Sequence, residues 1–148
     1  MTKEDFKQNC VNIIDNNKEA IIAIGDEIFA HPELGFKEKH TAALVRQTLE
    51  DLGIPNQDHL ALTGVKGNLK GRRSDLRVMV MGELDAVICP LHPQADLQTG
   101  AAHSCGHNSQ IAAMVPRRST AGSRALSEAV SRRSGVTSCT DNSPVLNF

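Results

Sequence analysis

The apolar positions at the start of the chain recur at three- and four-residue steps: Phe6, Cys10, Ile13, Ile14, Ile21, Ile24 and Ile28. That period predicts one long amphipathic helix with a single apolar face. Thr2 and Asp5 stand at the spacing of a capping box, with Asp in place of the usual Glu, so the helix should begin there. It should end near Ala30, because Pro32 disfavours helical geometry at His31. Gly35 opens a turn. A second helix is predicted from about Lys37, with Thr41, Leu44, Val45, Thr48, Leu49 and Leu52 on its apolar side, Gly53 as its terminating residue and Pro55 as a stop.

From Leu60 the texture changes to short strands and turns. Val65 to Lys70 reads as a strand among glycines 64, 67 and 71, and residues 72–75 as a polar turn. Leu76 to Met81 is a nearly continuous apolar run of strand length, the kind expected in a sheet covered on both faces. Gly82-Glu83-Leu84-Asp85 follows at once. Acids at the carboxyl end of a buried strand are where open α/β sheets place ligand sites, although the pair could simply begin a solvated loop. Residues 86–102, with Pro90, Pro93 and Gly100, read as a loop, and a further helix should start near Asn108. The class is therefore α/β, two helices followed by strands of a mixed sheet.

Composition narrows the function. The chain has 148 residues, enough for one domain with a core. Apolar residues make up 40% and charged residues 22%, ordinary for a globular chain. With four Phe, no Trp and no Tyr, it lacks the aromatic platforms of base-stacking nucleic-acid modules. A net charge of −1 gives no electrostatic case for nucleic acid or an anionic membrane. No apolar run approaches the ~20 residues of a membrane helix. The charged start Met1-Thr2-Lys3-Glu4-Asp5 is unlike a signal peptide, so the expected location is cytoplasmic. Cysteines 10, 89, 105 and 139 show no framework spacing and read as free thiols or metal ligands.

The densest chemistry is His103-Ser104-Cys105-Gly106-His107. Cys thiolate and neutral His nitrogen are preferred ligands of zinc and related divalent metals. Only a strand would put all three side chains on one face, and the glycine and polar flanks favour a loop. The plainer alternative is a small buried Cys105 between two surface histidines.

Four segments, "HPELGFKEKHTAALVRQTLEDLGIP", "TGVKGNL", "VMVMGELDAV" and "GAAHSCGHNSQIAAM", occur in the order and spacing of one family. Over roughly residues 20–115 the chain resembles the metal-dependent amidohydrolases that include aminoacylases, hippurate hydrolases, auxin-conjugate hydrolases and aminobenzoyl-glutamate hydrolases. The resemblance implies the N-terminal part of a zinc-exopeptidase-type catalytic domain, which in the family is split by a smaller lid or dimerisation domain. It also implies hydrolysis of an N-acyl amino acid or related amide at a centre of two divalent ions, zinc or manganese, in proteins that are often homodimers. On this resemblance Cys105 and His107 are metal ligands, and Asp85 is the catalytic-site acid that orients one. His103 matches the first motif histidine, near the substrate or behind a ligand. Glu83 falls where related branches carry a metal-binding His or an Asp. Asn108 stands where an Asp is more common. Bound metals would acidify a water and polarise the scissile carbonyl while a carboxylate moves the proton.

The family's later machinery, a glutamate pair and further ligand histidines, does not follow. After His107 there is no histidine, and after Val115 the only acids are Glu128 and Asp141. Through Val115 there are 11 basic and 15 acidic residues, whereas from Pro116 onward there are 5 and 2, with seven serines. Pro116 also falls where the last helix should continue. Residues 1–115 thus read as family sequence and 116–148 as a Ser/Arg-rich tail, arising from a change of reading frame or forming a disordered segment that binds something acidic. The expectation is a truncated hydrolase, inactive and poorly soluble or molten in isolation. Two other readings are a small metal-binding module of Cys89, His92, Cys105 and His107, and a thiol hydrolase with Cys105 as nucleophile.

Overall fold

The computed structural model describes residues 2–70 and 75–115, and the backbone of 145–147. Helix α1 (Lys3–Ala30) begins with the predicted capping box, the Asp5 amide donating to Thr2 Oγ1 at 3.1 Å and the Thr2 amide to Asp5 Oδ2 at 2.8 Å. It stops at His31, as the following proline requires. Helix α2 (Lys39–Asp51) starts two residues later than its apolar period suggests. Its first turn is capped from outside the helix. Glu33 accepts from the His40 and Thr41 amides, both at 2.9 Å, and from Thr41 Oγ1 at 3.1 Å.

Strands β1 (Asn56–Leu60) and β2 (Gly64–Asn68) form an antiparallel hairpin. Strands β3 (Met79–Met81) and β6 (Val145–Asn147) complete a mixed sheet of order β1-β2-β6-β3, with β6 antiparallel to β2 and parallel to β3. A second, two-stranded ladder joins β4 (Val87–Ile88) to β5 (Ala101–Ala102), so the expected 86–102 loop is tied at both ends. Helix α3 (His107–Met114) follows. Val115, the residue before Pro116, leaves helical geometry at φ −118° and ψ 78°, so α3 does not run on. The proposed frame change or disorder of the tail falls outside the described residues, apart from β6.

The core gathers Ile24 and Ile28 from α1, Val45 and Leu49 from α2, Val65 from β2, and Leu84, Ile111, Ala112 and Val115 around α3. Full burial of side chains of this size stabilises by about 1.5–3 kcal/mol each. The helix α3 lies close against α1: a Cβ on Gly25 would meet that of Ala112 at 3.4 Å, and Asn108 Nδ2 donates to the Gly25 carbonyl at 3.3 Å.

Two expectations about burial fail. The apolar face of α1 is buried only at its C-terminal end, since Phe6, Ile13 and Ile14 are 56%, 40% and 57% exposed. A helical period marks a face but does not supply a surface to cover it. The Leu76–Met81 run is likewise not a doubly covered strand. Only its last three residues pair, and all three side chains are exposed, because the core assembles on the α-helical side of β2 and around α3 instead.

Candidate metal centre

The two predicted segments meet. The Ala86 amide donates to the Glu33 carbonyl at 2.7 Å beside a parallel bridge between Leu34 and Ala86, which fixes the chain just past Asp85. Gln110 Oε1, on α3, accepts from the Glu83 amide at 2.8 Å. Between these anchors the side chains of Glu83 and Asp85 face the first residue of α3. That helix starts through Gly106, whose φ of +79° is a left-handed conformation that glycine adopts without strain.

His107 is the centre of the cluster. Its Nδ1 lies 2.8 Å from the Asp85 carbonyl and 3.3 Å from Asp85 Oδ1, while its Nε2 lies 3.1 Å from Glu83 Oε2. A carbonyl only accepts, so this contact assigns the proton to Nδ1 and leaves the Nε2 lone pair aimed at a carboxylate oxygen. Two such acceptors face each other comfortably only with a proton or a cation between them. His103 is 5% exposed, with neither ring nitrogen hydrogen-bonded. Burial, and then the neighbouring His107, hold its pKa below the usual imidazole range, against an opposing pull from Asp85 and Glu33. Cys105 is a free, exposed thiol.

Thus Glu83 and Asp85 contact opposite ring nitrogens of His107, with His103 buried beside them, while among the described residues these side chains and the Cys105 thiol do not form a group of three converging donors. Among the described residues no hydrogen bond joins the Cys105 thiol to a histidine, so the arrangement of a thiol hydrolase is not formed. Nor do Cys89 and His92 gather with Cys105 and His107 into a group of three donors; His92 instead stands edge-on to Phe29, with ring centroids 6.2 Å apart. Asn108, read from sequence as a departure from a charged partner, ties α3 to α1. Sequence reasoning missed Gln110 and the Asp85 carbonyl, which hold the loop and the imidazole.

No family model matches the chain. It is similar to thermostable carboxypeptidase 1 of Saccharolobus solfataricus, 30% identical over 117 residues that span 75% of this chain and 29% of that protein. It is also similar to the N-acyl-L-amino acid amidohydrolase of Geobacillus stearothermophilus, 31% identical over 120 residues, 78% of this chain and 31% of that protein. Among solved structures, the Bacillus subtilis YXEP protein, a dinuclear metal-binding peptidase of the M20 family, superposes with a TM-score of 0.63 at 25% identity, over 90% of this chain and 35% of that one. Over the matched span the chain is similar to metal-dependent amidohydrolases and peptidases, the M20 peptidase YXEP among them. It spans about a third of the length of these relatives. The α/β arrangement of three helices and short strands is the M20 fold over that span.

The donors present suit the divalent ions of an M20 centre. An imidazole with a fixed tautomer and a facing carboxylate are what such an ion would satisfy, with an exposed thiol two residues before that imidazole in the chain. No candidate membrane span is found: no helix of the described residues is long and apolar enough to cross a bilayer.

Proposed function

We propose that the protein hydrolyses the amide bond of an N-acyl amino acid or related small amide with the help of zinc or manganese, and that this chain supplies part of the metal centre. The observation that carries the reading is His107 held between Asp85 and Glu83 with its Nε2 lone pair facing a carboxylate. His107 and Cys105 would hold metal, with Glu83 a further oxygen donor or a contact to substrate. Asp85 acts as a positioning residue: its carbonyl and carboxylate both engage Nδ1, fixing the tautomer and leaving the Nε2 lone pair free to bind. His103, neutral and buried, is available as a hydrogen-bond partner to a bound water or substrate oxygen. Bound divalent metal in such a site acidifies water and polarises a carbonyl. The similarity to the Geobacillus stearothermophilus amidohydrolase supports the substrate class. With no glutamate pair or later histidines among its described residues, the isolated chain should bind metal without turnover. The same reading expects a cytoplasmic protein, active as a homodimer with two ions per site, and without nucleic-acid or membrane partners.

X-ray absorption of the zinc-loaded chain tests this. One sulfur at about 2.3 Å together with nitrogen or oxygen at about 2.0–2.2 Å is expected, the sulfur disappearing in Cys105→Ser. A zinc shell without sulfur in the unsubstituted chain would refute the assignment.

A further inference from the structure

A second set of metal-type donors lies at the junction of α1 and α2 and shares no residue with the His107 cluster. Glu27 and His31 are four residues apart, on one face of the last turn of α1, and His40 is in the first turn of α2. One carboxylate oxygen, Glu27 Oε1, lies 3.4 Å from His31 Nδ1 and 3.0 Å from His40 Nε2. One ligand atom from each of the three falls within 4.8 Å of the other two, the single such group among the described residues. We propose that Glu27, His31 and His40 form a binding site for a divalent cation of the zinc type, which pins the end of α1 to the start of α2 across the His31–Pro32 break.

The chemistry fits in three respects. Two imidazoles and one carboxylate are a donor set that zinc takes in open sites, with water in the remaining position. The three side chains are 43–53% exposed, which leaves that position accessible to water. Magnesium and calcium, which require oxygen ligands, are disfavoured by the two nitrogens. The donors are also held. His31 Nδ1 lies 2.9 Å from the Glu27 carbonyl, so its ring is oriented by its own helix, and a cation bound at Nδ1 would displace the proton of that contact. The His40 backbone is fixed by Glu33, which accepts its amide proton at 2.9 Å. The two rings stand 4.6 Å apart, tilted by 45°, so protonating both would set like charges together, whereas neutral rings around one cation avoid it. A cation would replace the Glu27 contacts to the two rings and hold all three donors at once.

The site is tested with Co2+ alone, added to the full chain carrying Cys105→Ser, so that thiolate binding at that position does not contribute. Visible ligand-field absorption should saturate at one equivalent and be insensitive to excess Mg2+. Adding His40→Gln or, separately, His31→Gln should weaken binding by about tenfold or more, with circular dichroism unchanged. Glu27→Gln should do the same. Co2+ affinity unaltered in both histidine variants, or no ligand-field band in the Cys105→Ser chain, would overturn the site and leave a hydrogen-bonded surface cluster. Loss of sulfur coordination at Cys105 has no bearing on this outcome, so the two metal assignments fail independently.

Discussion

Gly82 joins β3 to the Glu83–Asp85 segment at the point where it passes over α3, and an alanine there tests how tightly the two are fitted. A Cβ at this position would lie 2.7 Å from Met114 Sδ and 2.8 Å from Ile111 Cδ1, far inside the roughly 3.5–4.0 Å at which non-bonded heavy atoms attract. The two neighbours differ in how they can respond. Met114 is partly buried and its thioether chain can swing aside, whereas Ile111 is fully buried in the core. Overpacking of this kind costs about 1–3 kcal/mol, and the freedom of Met114 places Gly82→Ala near the middle of that range. Ile111→Val removes the Cδ1 atom itself, at its own cost of about 0.5–1.5 kcal/mol. If the overlap is the cause, the doubly substituted chain is less destabilised than the sum of the single changes, by about 0.5–1 kcal/mol. Urea unfolding of all four chains, followed by far-UV circular dichroism with comparable slopes, reads the coupling. Additivity within about 0.3–0.5 kcal/mol would refute the close approach of the strand end to α3.

Glu33→Ala removes three hydrogen bonds to the first turn of α2, two of them to buried Thr41, and should cost about 1–3 kcal/mol in the same unfolding assay, with Glu33→Gln costing less. A change under about 0.5 kcal/mol would show that the cap is not formed. Asp96 accepts from Thr99 Oγ1, the Thr99 amide and the Gln98 amide, and these bonds, the Thr99 hydroxyl foremost, hold its carboxyl below the ordinary aspartate value of 3.8. Its contribution is therefore complete above pH 3.8 and lost as pH falls through the lower folded value. Carboxyl carbon NMR should place the Asp96 midpoint below 3.8 and move it upward in Thr99→Ala; an unmoved midpoint contradicts the turn.

Helices α1 and α2 were legible because each announces itself locally, by a three- and four-residue apolar period, the Thr2–Asp5 box and the Pro32 stop. The helix α3 was legible to within one residue. Strand β1, Asn56-Gln57-Asp58-His59-Leu60, carries no apolar alternation and becomes a strand only by pairing with β2, whose Val65 is in the core. The exposure of β3 was hidden for the reverse reason: its residues are apolar enough for a covered sheet, and no local signal says that nothing covers them. At the candidate metal centre the sequence names His107 and the acids, since ligand chemistry belongs to side chains. It does not name the Asp85 carbonyl, because every residue has one. Glu27, His31 and His40 were invisible as a group because the turn at Pro32 has to be folded before they share a neighbourhood.

The helix α1 runs for 28 residues, about 42 Å at 1.5 Å per residue, yet its buried residues are only Ile24, Gly25 and Ile28. It is thus one continuous hydrogen-bonded rod with two kinds of stability. The inner end is held by the core and opens only when the core does. The outer twenty or so residues bury little and depend on capping, propensity and neighbouring charges, without the tertiary packing that supplies most helical stability in proteins. Winding and unwinding of that outer stretch leaves the Gly25–Asn108 contact undisturbed. The His107 cluster is therefore insulated from whatever happens at the amino-terminal end of α1.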